Sequence, residues 1–179
     1  MSTPQIPAGT WTIDPSHSEV GFTVRHLMVA KVRGTFETFS GTITIAEDPL
    51  DSSVTAEVDL SSINTRDEGR DGHLRSADFF EVESHPVLTF TSTAVVPAGG
   101  DFKVTGDLTI KGTTKAVELD LEFNGVHPDP WGGTRAGFSA ETEISRKEFG
   151  VDFNVPLEGG KLLIGDKIDI SLEIEAVLA

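Results

Sequence analysis

Apolar and polar residues alternate along most of this chain, which is the pattern of β-strands that bury one face and expose the other. In the clearest run, Val117, Leu119, Leu121 and Phe123 alternate with Glu118, Asp120 and Glu122. The same pattern predicts strands over residues 11–14, 17–27, 35–46, 54–60, 87–94, 104–110, 117–123, 136–144 and 168–178. These nine segments, the first of which is short, amount to about eight strands, most of them long.

Glycine, proline and aspartate mark the connections between these strands. They predict turns at Asp48-Pro49 and 111–113, a hairpin at 98–101, a loop over 124–133 and an irregular segment over 146–165 with a turn at Gly159-Gly160. Residues 28–34 are basic and are predicted as a connection rather than a strand.

The alternation stops between Asp59 and Phe80, where acids, arginines and a histidine gather. Leu74, Ala77 and Phe80 then follow at helical spacing, and Asp71 is predicted as the N-cap because its carboxylate can accept the free amides of a first turn. We interpret this stretch as one short helix that plugs an end of the sheet structure or covers an opening in it.

Long antiparallel strands with one apolar face can close into a barrel, which removes exposed sheet edges. The sequence therefore predicts an all-β fold, an elongated eight-stranded antiparallel barrel with one short helical insert. A two-sheet sandwich fits the same alternation and remains the structural alternative. We expect residues 1–10 to be an N-terminal extension and residues 11–179 to form a single domain.

Composition narrows the function. The chain has 179 residues, no cysteine and a formal net charge of −15. Disulfides, thiolate catalysis and zinc–thiolate sites are therefore excluded, and the negative charge disfavours nucleic acid and general adsorption to anionic membranes. No apolar run approaches the roughly 20 residues that span a membrane. Because the N-terminus lacks the pattern of a secretory signal, we expect a cytoplasmic location, or a periplasmic or secreted one if a leader was removed.

Small residues recur among phenylalanines on the predicted inward faces. This arrangement fits an ordinary packed core, but in a barrel with long strands it also fits a tube lined by aromatic rings. For the second interpretation, the candidate ligand-binding residues are Val20, Phe22, Val24, Arg25, His26, Phe36, Phe39, Ile43, Phe80, Phe90, Leu108, Phe123 and Phe138.

A local positive charge accompanies these candidates. No acidic residue occurs from Val20 to Phe36, whereas Arg25, Lys31 and Arg33 lie there. An amphipathic anion with its tail in the lumen and its head at this end of the strand would match both features; a solvated turn with clustered charges is the alternative. Micromolar binding needs about 8 kcal/mol. Since each buried CH₂ supplies about 0.8 kcal/mol, a purely apolar tube selects chains of at least about ten carbons.

Catalytic and metal motifs are weak. Asp14, Ser16 and His17 contain the residue types of a hydrolase triad, but triads are assembled from residues far apart in sequence, and no G-x-S-x-G motif is present. The five histidines lack the spacing of zinc ligands. We therefore predict no catalytic residue, no metal site and no cofactor.

Several short motifs together resemble the YceI-like family, the lipocalin-like lipid-binding or polyisoprenoid-binding proteins of bacteria. The motifs are WTIDPSHS at 11–18, FTVRHL at 22–27, GTF at 34–36, FSG at 39–41, SINT at 62–65, RDGHLRSADFF at 70–80, HP at 85–86, TF at 89–90, GDLTIKG at 106–112 and SRKEFG at 145–150. The resemblance runs from about Trp11 to Val177, and it is specific in the order and spacing of the motifs.

This resemblance implies a lipocalin-like barrel that binds, stores or transports a long-chain lipid of polyprenyl or acyl type in its lumen, without being an enzyme. It gives no catalytic residue. Many members are periplasmic and carry a leader. Two alternatives stay open: an enzyme that acts on such a lipid, with His26 or His73 as acid or base, and a stress-related protein with a packed barrel and a surface partner. We predict no nucleic-acid partner and no membrane span, and the oligomeric state stays open between a monomer and a homodimer.

Overall fold

The computed structural model describes residues 6–26, 30–155, 157 and 163–179. Its strands are β1 (Gly9–Ile13), β2 (Glu19–His26), β3 (Ala30–Phe36), β4 (Phe39–Ile45), β5 (Ser53–Asp59), β6 (Ile63–Asn64), β7 (Val87–Ala98), β8 (Asp101–Ile110), β9 (Thr113–Pro128), β10 (Thr134–Ser145) and β11 (Ile164–Leu178). The helix α1 spans Glu68–Arg75.

Three of the barrel strands are bent, and each consists of two elements. β1 continues into β2, β3 into β4 and β5 into β6, since β1 pairs with β4, β2 with β3, β4 with β5 and β3 with β6. At the first bend, Asp14 accepts a hydrogen bond from the Ser16 amide and begins a 3-10 turn over Pro15–His17. Proline suits this position because the amide hydrogen that it lacks would have no helical partner there.

The three bent strands and the five strands β7 to β11 make an eight-stranded barrel in which neighbouring strands are antiparallel. β5 pairs with β7, and each later strand pairs with the next as far as β11. β11 then closes the ring, because Ile168–Glu173 pairs with β2 and Ala176–Leu178 pairs with β1. The predicted antiparallel barrel with one short helix is thus confirmed, and the sandwich alternative is wrong.

The two ends of the barrel differ. We call the end that carries residues 65–86, the turn at Lys111-Gly112 and the segment after β10 the cap end, and the end with the turns 46–52, 99–100 and 129–133 the far end. At the cap end, Lys111 Nζ donates to the carbonyls of Ala77, at 3.3 Å, and Gly150, at 3.5 Å. This side chain connects the helical insert to the segment that follows β10.

The predicted connection over 28–34 is wrong, because Ala30–Phe36 is strand β3, paired with β2 along its length. Lys31 and Arg33 do alternate with inward-facing positions, but one of these positions is Gly34, which gives no hydrophobic signal. The predicted loop over 124–133 is wrong in its first half, since β9 continues to Pro128. A bulge at Asn124 shifts the register there and obscures the alternation. The predicted turn at Gly159-Gly160 lies outside the described residues.

The predicted N-cap Asp71 is also wrong. Asp67 is the N-cap of α1, where its Oδ1 accepts a hydrogen bond from the Arg70 amide at 3.0 Å. Asp71 lies inside the helix and is buried, and its Oδ1 accepts from the amide and the hydroxyl of Thr65. Among the described residues no helix is long and apolar enough to cross a membrane.

Candidate functional site

The lumen of the barrel contains a cavity of about 450 Å³. Its wall runs from Ile6 and Pro49 at the far end to Phe79 and Phe153 at the cap end, and it takes residues from all eight barrel strands. Almost all of the surface that these residues present to the cavity is apolar. The volume falls in the range of about 300–1,000 Å³ that is usual for ligand pockets.

The barrel is packed in places and hollow between them. Trp11, Leu60 and Phe149 are fully buried in the packed regions. In contrast, apolar side chains that face the lumen on β9 and β11 stay only half-buried; they are Val117, Leu119, Leu121, Ile168, Ile170, Leu172 and Ile174. Side chains that point inward yet keep accessible surface mark an open lumen, because a close-packed interior leaves few voids larger than a water molecule.

Two glycines let aromatic rings lie against the wall. Gly34 stands opposite Phe22 in the β2–β3 ladder, and a Cβ built on Gly34 would come within 2.3 Å of the Phe22 Cζ. A Cβ on Gly106 would come within 2.4 Å of the Phe90 Cζ. Both rings therefore cover the glycine backbone, as in aromatic rescue of glycine in sheets, and leave the centre of the lumen free.

Three basic residues line the cavity at the cap end. Arg25, Arg70 and Arg146 all line it there, and no carboxylate oxygen of the described residues lies within 4.0 Å of their nitrogens. Arg25 and Arg70 are exposed, so the cavity reaches the surface beside them. Among the residues that the structure describes, this wall has no lysine or arginine at the far end.

Arg146 is the buried member of this group, with 5% of its surface exposed. Its guanidinium donates to the carbonyls of Gly165, Val151, Phe153 and Ile164 at 2.8 to 3.3 Å. Burial lowers the pKa of Arg146 below its ordinary value, while the charges of Asp166 and Asp152 oppose that shift. The side chain holds the segment after β10 in place and adds a positive charge beside the lumen.

The helical insert positions two further polar side chains of the wall, Arg70 and His73. Arg70 donates from Nε to Thr65 Oγ1 at 2.8 Å and from a terminal nitrogen to the Thr65 carbonyl at 2.7 Å. His73 Nε2 lies 2.8 Å from Asp78 Oδ2, and its ring makes edge contacts with Phe79 and Phe153. These contacts fix the helix across the cap end.

Most of the predicted ligand-binding residues lie in this wall. The structure places there Val20, Phe22, Val24, Arg25, Phe36, Phe39, Ile43, Phe80, Phe90, Leu108 and Phe138. Phe123 instead packs beside Phe138, with ring centroids 5.5 Å apart, in the cluster around Trp11. The backbone of His26 ends β2, but its side chain lies outside the described residues. No structural observation tests binding by any of them.

Sequence reasoning missed several parts of the wall. Arg70 and Arg146 were not singled out, although each lies in one of the family-like motifs, which was a signal that could have pointed to them. The aliphatic rows of β9, β10 and β11 were recognised as strand faces but not as a lining. A bulge at Thr93 also turns Ala94 outward and brings Val95 into the wall.

The triad-like residues lie on the outside of the barrel. His17 Nδ1 and Arg135 Nη1 approach Asp14 Oδ2 to 2.7 and 2.8 Å, and Arg135 also bonds Glu175 at 3.0 Å and Asp129 at 3.1 Å. Asp14, His17 and Glu175 are close enough to share a metal ion, yet Arg135 already pairs with both carboxylates. The Arg135 guanidinium, His17 and Ser16 hold the pKa of Asp14 well below its usual range. The cluster secures the first strand bend against β10 and β11.

Comparison with known proteins gives a consistent result. The family model described as the YceI-like domain matches residues 11–176. A protein named YceI from Escherichia coli O17:K52:H18 is 41% identical over 162 residues, which are 90% of this chain and 82% of the relative.

Two solved structures have the same fold. BcnA from Burkholderia cenocepacia is 23% identical, has a TM-score of 0.78, and the match covers 91% of this chain and 98% of BcnA. A polyisoprenoid-binding domain from Saccharophagus degradans, implicated in plant cell wall breakdown, is 16% identical with a TM-score of 0.74 and coverage of 97% and 100%. The matched family model, the similarity to YceI and the shared barrel agree, and the chain therefore belongs to the YceI-like family.

Proposed function

We propose that this protein binds a long apolar chain, of polyprenyl or fatty-acyl type, inside the barrel and carries or stores it. The observation that supports this most is the cavity of about 450 Å³ with an almost wholly apolar wall. The polyisoprenoid-binding description of one protein with the same fold is consistent with it. A packed barrel, the alternative in which only the surface is functional, does not fit a lumen of this size.

The chemistry of the wall favours long chains over small polar metabolites. Each CH₂ that leaves water contributes about 0.8 kcal/mol, so about ten carbons are needed for micromolar affinity before the costs of association are counted. A small metabolite would leave its polar groups unpaired along the apolar wall, which is costly. A chain that threads the lumen satisfies both conditions.

The ligand's polar head belongs at the cap end in this proposal. Arg25, Arg70 and Arg146 reach the wall there without a carboxylate partner among the described residues. A negative or strongly polar head would gain charge-assisted hydrogen bonds from the two exposed guanidinium groups and a favourable field from the buried one. We infer a preference for anionic over neutral heads on a common chain.

Binding rather than turnover is the function that the wall supports. Of the titratable groups that line it, His73 is engaged with Asp78, Arg70 with Thr65, and Arg146 with four carbonyls. A nucleophile–base pair of the kind that general catalysis requires is not formed among the described wall residues.

Native mass spectrometry of the freshly purified protein tests the proposal. We expect a bound species that is released on denaturation and contains a long hydrocarbon chain. Ala140 faces the lumen and Ala116 is exposed on the outside, so Ala140→Trp should lose the bound mass while Ala116→Trp keeps it. A wild-type protein that is free of ligand and binds no added prenyl alcohol, prenyl phosphate or fatty acid would refute the proposal.

A further inference from the structure

Three like charges lie together on β2 and β3, and two of them, Lys31 and Arg33, have no part in the functional site described above. Arg25 and Lys31 stand directly opposite each other in the ladder, and Arg33 follows on the same face. All three side chains are exposed. Like charges directly opposite in a sheet are destabilising, and no carboxylate of the described residues lies within 4.0 Å of them. We call these three residues the basic face.

The charges of the molecule are distributed unevenly between its ends. Of the lysines and arginines in the described part, only Lys103 and Arg135 lie in the half near the far end. Each is paired with carboxylates of that half: Lys103 with Glu118 at 3.1 Å, and Arg135 as described above. The excess negative charge is therefore concentrated away from the basic face.

Salt screens the negative charge of the far end from a surface that contacts the basic face. β8 alone, with ten residues, extends roughly 33 Å along its axis, whereas the Debye length is about 8 to 10 Å at physiological ionic strength. A surface in contact with the basic face therefore experiences little of the charge at the far end. The net charge of −15 opposes adsorption in a random orientation but permits it in this one.

We propose that the basic face docks the protein on an anionic lipid bilayer, with the far end pointing into solution. The basic face lies on a sheet surface beside the place where Arg25 and Arg70 bring the cavity to the surface. An anionic bilayer offers phosphate heads for the arginines and apolar chains for the adjoining opening, whereas a nucleic acid or an acidic protein offers only the charges. The inference depends on the surface charges and not on what the lumen holds.

Sedimentation with vesicles tests this docking. We expect wild-type protein to bind vesicles of phosphatidylcholine with roughly 30% phosphatidylglycerol at about 50 mM salt, to bind pure phosphatidylcholine vesicles weakly, and to dissociate at about 500 mM salt. Because each basic residue near such a surface contributes about a fivefold gain in partitioning, Lys31→Gln/Arg33→Gln should bind roughly 25-fold more weakly. Neither residue lines the cavity.

The matched control is Lys103→Gln/Lys115→Gln, which changes the net charge equally at the half-buried Lys103 and the exposed Lys115, both away from the basic face. It should bind the anionic vesicles like the wild type. Equal losses in both double variants, or no wild-type binding at low salt, would overturn the proposal. Capture of an acidic protein by the basic face without vesicle binding would also overturn it, in favour of a protein partner. Retained ligand in Lys31→Gln/Arg33→Gln would leave the cavity proposal standing in each of these cases.

Discussion

Replacing Gly34 by alanine tests whether the lumen is kept open by aromatic rings that lie against the wall. An ideal Cβ at this position would be 2.3 Å from Cζ and 2.7 Å from Cε1 of Phe22, and 3.0 Å from the Cγ2 of Thr65. Real contacts are not this short, so the Phe22 ring must move. The wall lies on its other side, and the ring therefore swings toward the lumen.

The cost follows from overpacking. Inserting a methyl group into a filled site costs typically about 1–3 kcal/mol, which for a chain of this length corresponds to a Tm lower by roughly 2–12 °C. The displaced ring also takes space from the ligand. Each CH₂ that it displaces weakens binding by about 0.8 kcal/mol, or about fourfold.

Gly72→Ala is the matched control for this change. A Cβ at Gly72 meets nothing within 4 Å, and the residue lies inside α1. Alanine there should stabilise the protein by about 0.4–1 kcal/mol, because the unfolded chain loses freedom. Thermal unfolding and titration with a fluorescent fatty acid measure both effects. The reasoning fails if Gly34→Ala leaves the Tm and the probe affinity unchanged.

Three further outcomes are expected. Phe90→Asp, which puts a carboxylate into the lumen, should weaken chain binding more than tenfold in probe titrations, whereas the outward-facing Thr91→Asp should not. Arg25→Ala should weaken binding of a prenyl phosphate more than that of the matching alcohol; equal effects would remove its role at the ligand head. Arg135→Gln removes the main cause of the low pKa of Asp14. A depressed carboxyl pKa stabilises the fold above the ordinary value of 3.8 and loses this effect as pH falls. The urea midpoint of this variant should therefore be lowered at about pH 7, and its difference from the wild type should become smaller as pH falls below 3.8.

The sequence was sufficient for the strands and their buried faces because the evidence for them is local. Alternation with period two shows which residues share a strand face. Between Val117 and Phe123, the acidic residues clearly mark the solvent-exposed face. The short turns of the chain then make neighbouring strands antiparallel. Closure into a ring does not appear in the sequence pattern, and it became visible only in the pairing of β11 with β1 and β2.

Errors occurred where a tertiary contact overrides the local pattern. Asp71 resembles an N-cap, but its carboxylate is drawn to the amide and hydroxyl of Thr65, which leaves Asp67 as the cap. Gly34 breaks the alternation of β3, yet it is needed there because the Phe22 ring occupies its side-chain space. In both cases the local structure depends on a contact with a residue, Thr65 or Phe22, whose proximity cannot be read from the sequence.

The cavity in the barrel could be predicted from the sequence only in part. Most of the candidate residues proposed from the sequence lie in the cavity wall. The sequence pattern could not decide between a packed and a hollow barrel, since both bury the same faces. The arginines at the cap end were harder to find. Arg146 reaches the wall because four carbonyls from two segments surround its guanidinium, and such an environment has no signature in a single sequence.

The closing strand also determines when the protein can fold. On one side, β1 and β2 pair with β11, the last strand of the chain. Trp11 can therefore pair with Leu178, and Val24 with Ile168, only after β11 has been synthesised. At about 5–20 residues per second of synthesis, the first strand is exposed for roughly 8–34 s before its partner is made. Pairings between such distant residues also make folding slow. The newly made chain thus presents an open sheet edge and an apolar face for its whole synthesis, and loss of the last strand would leave it in that state.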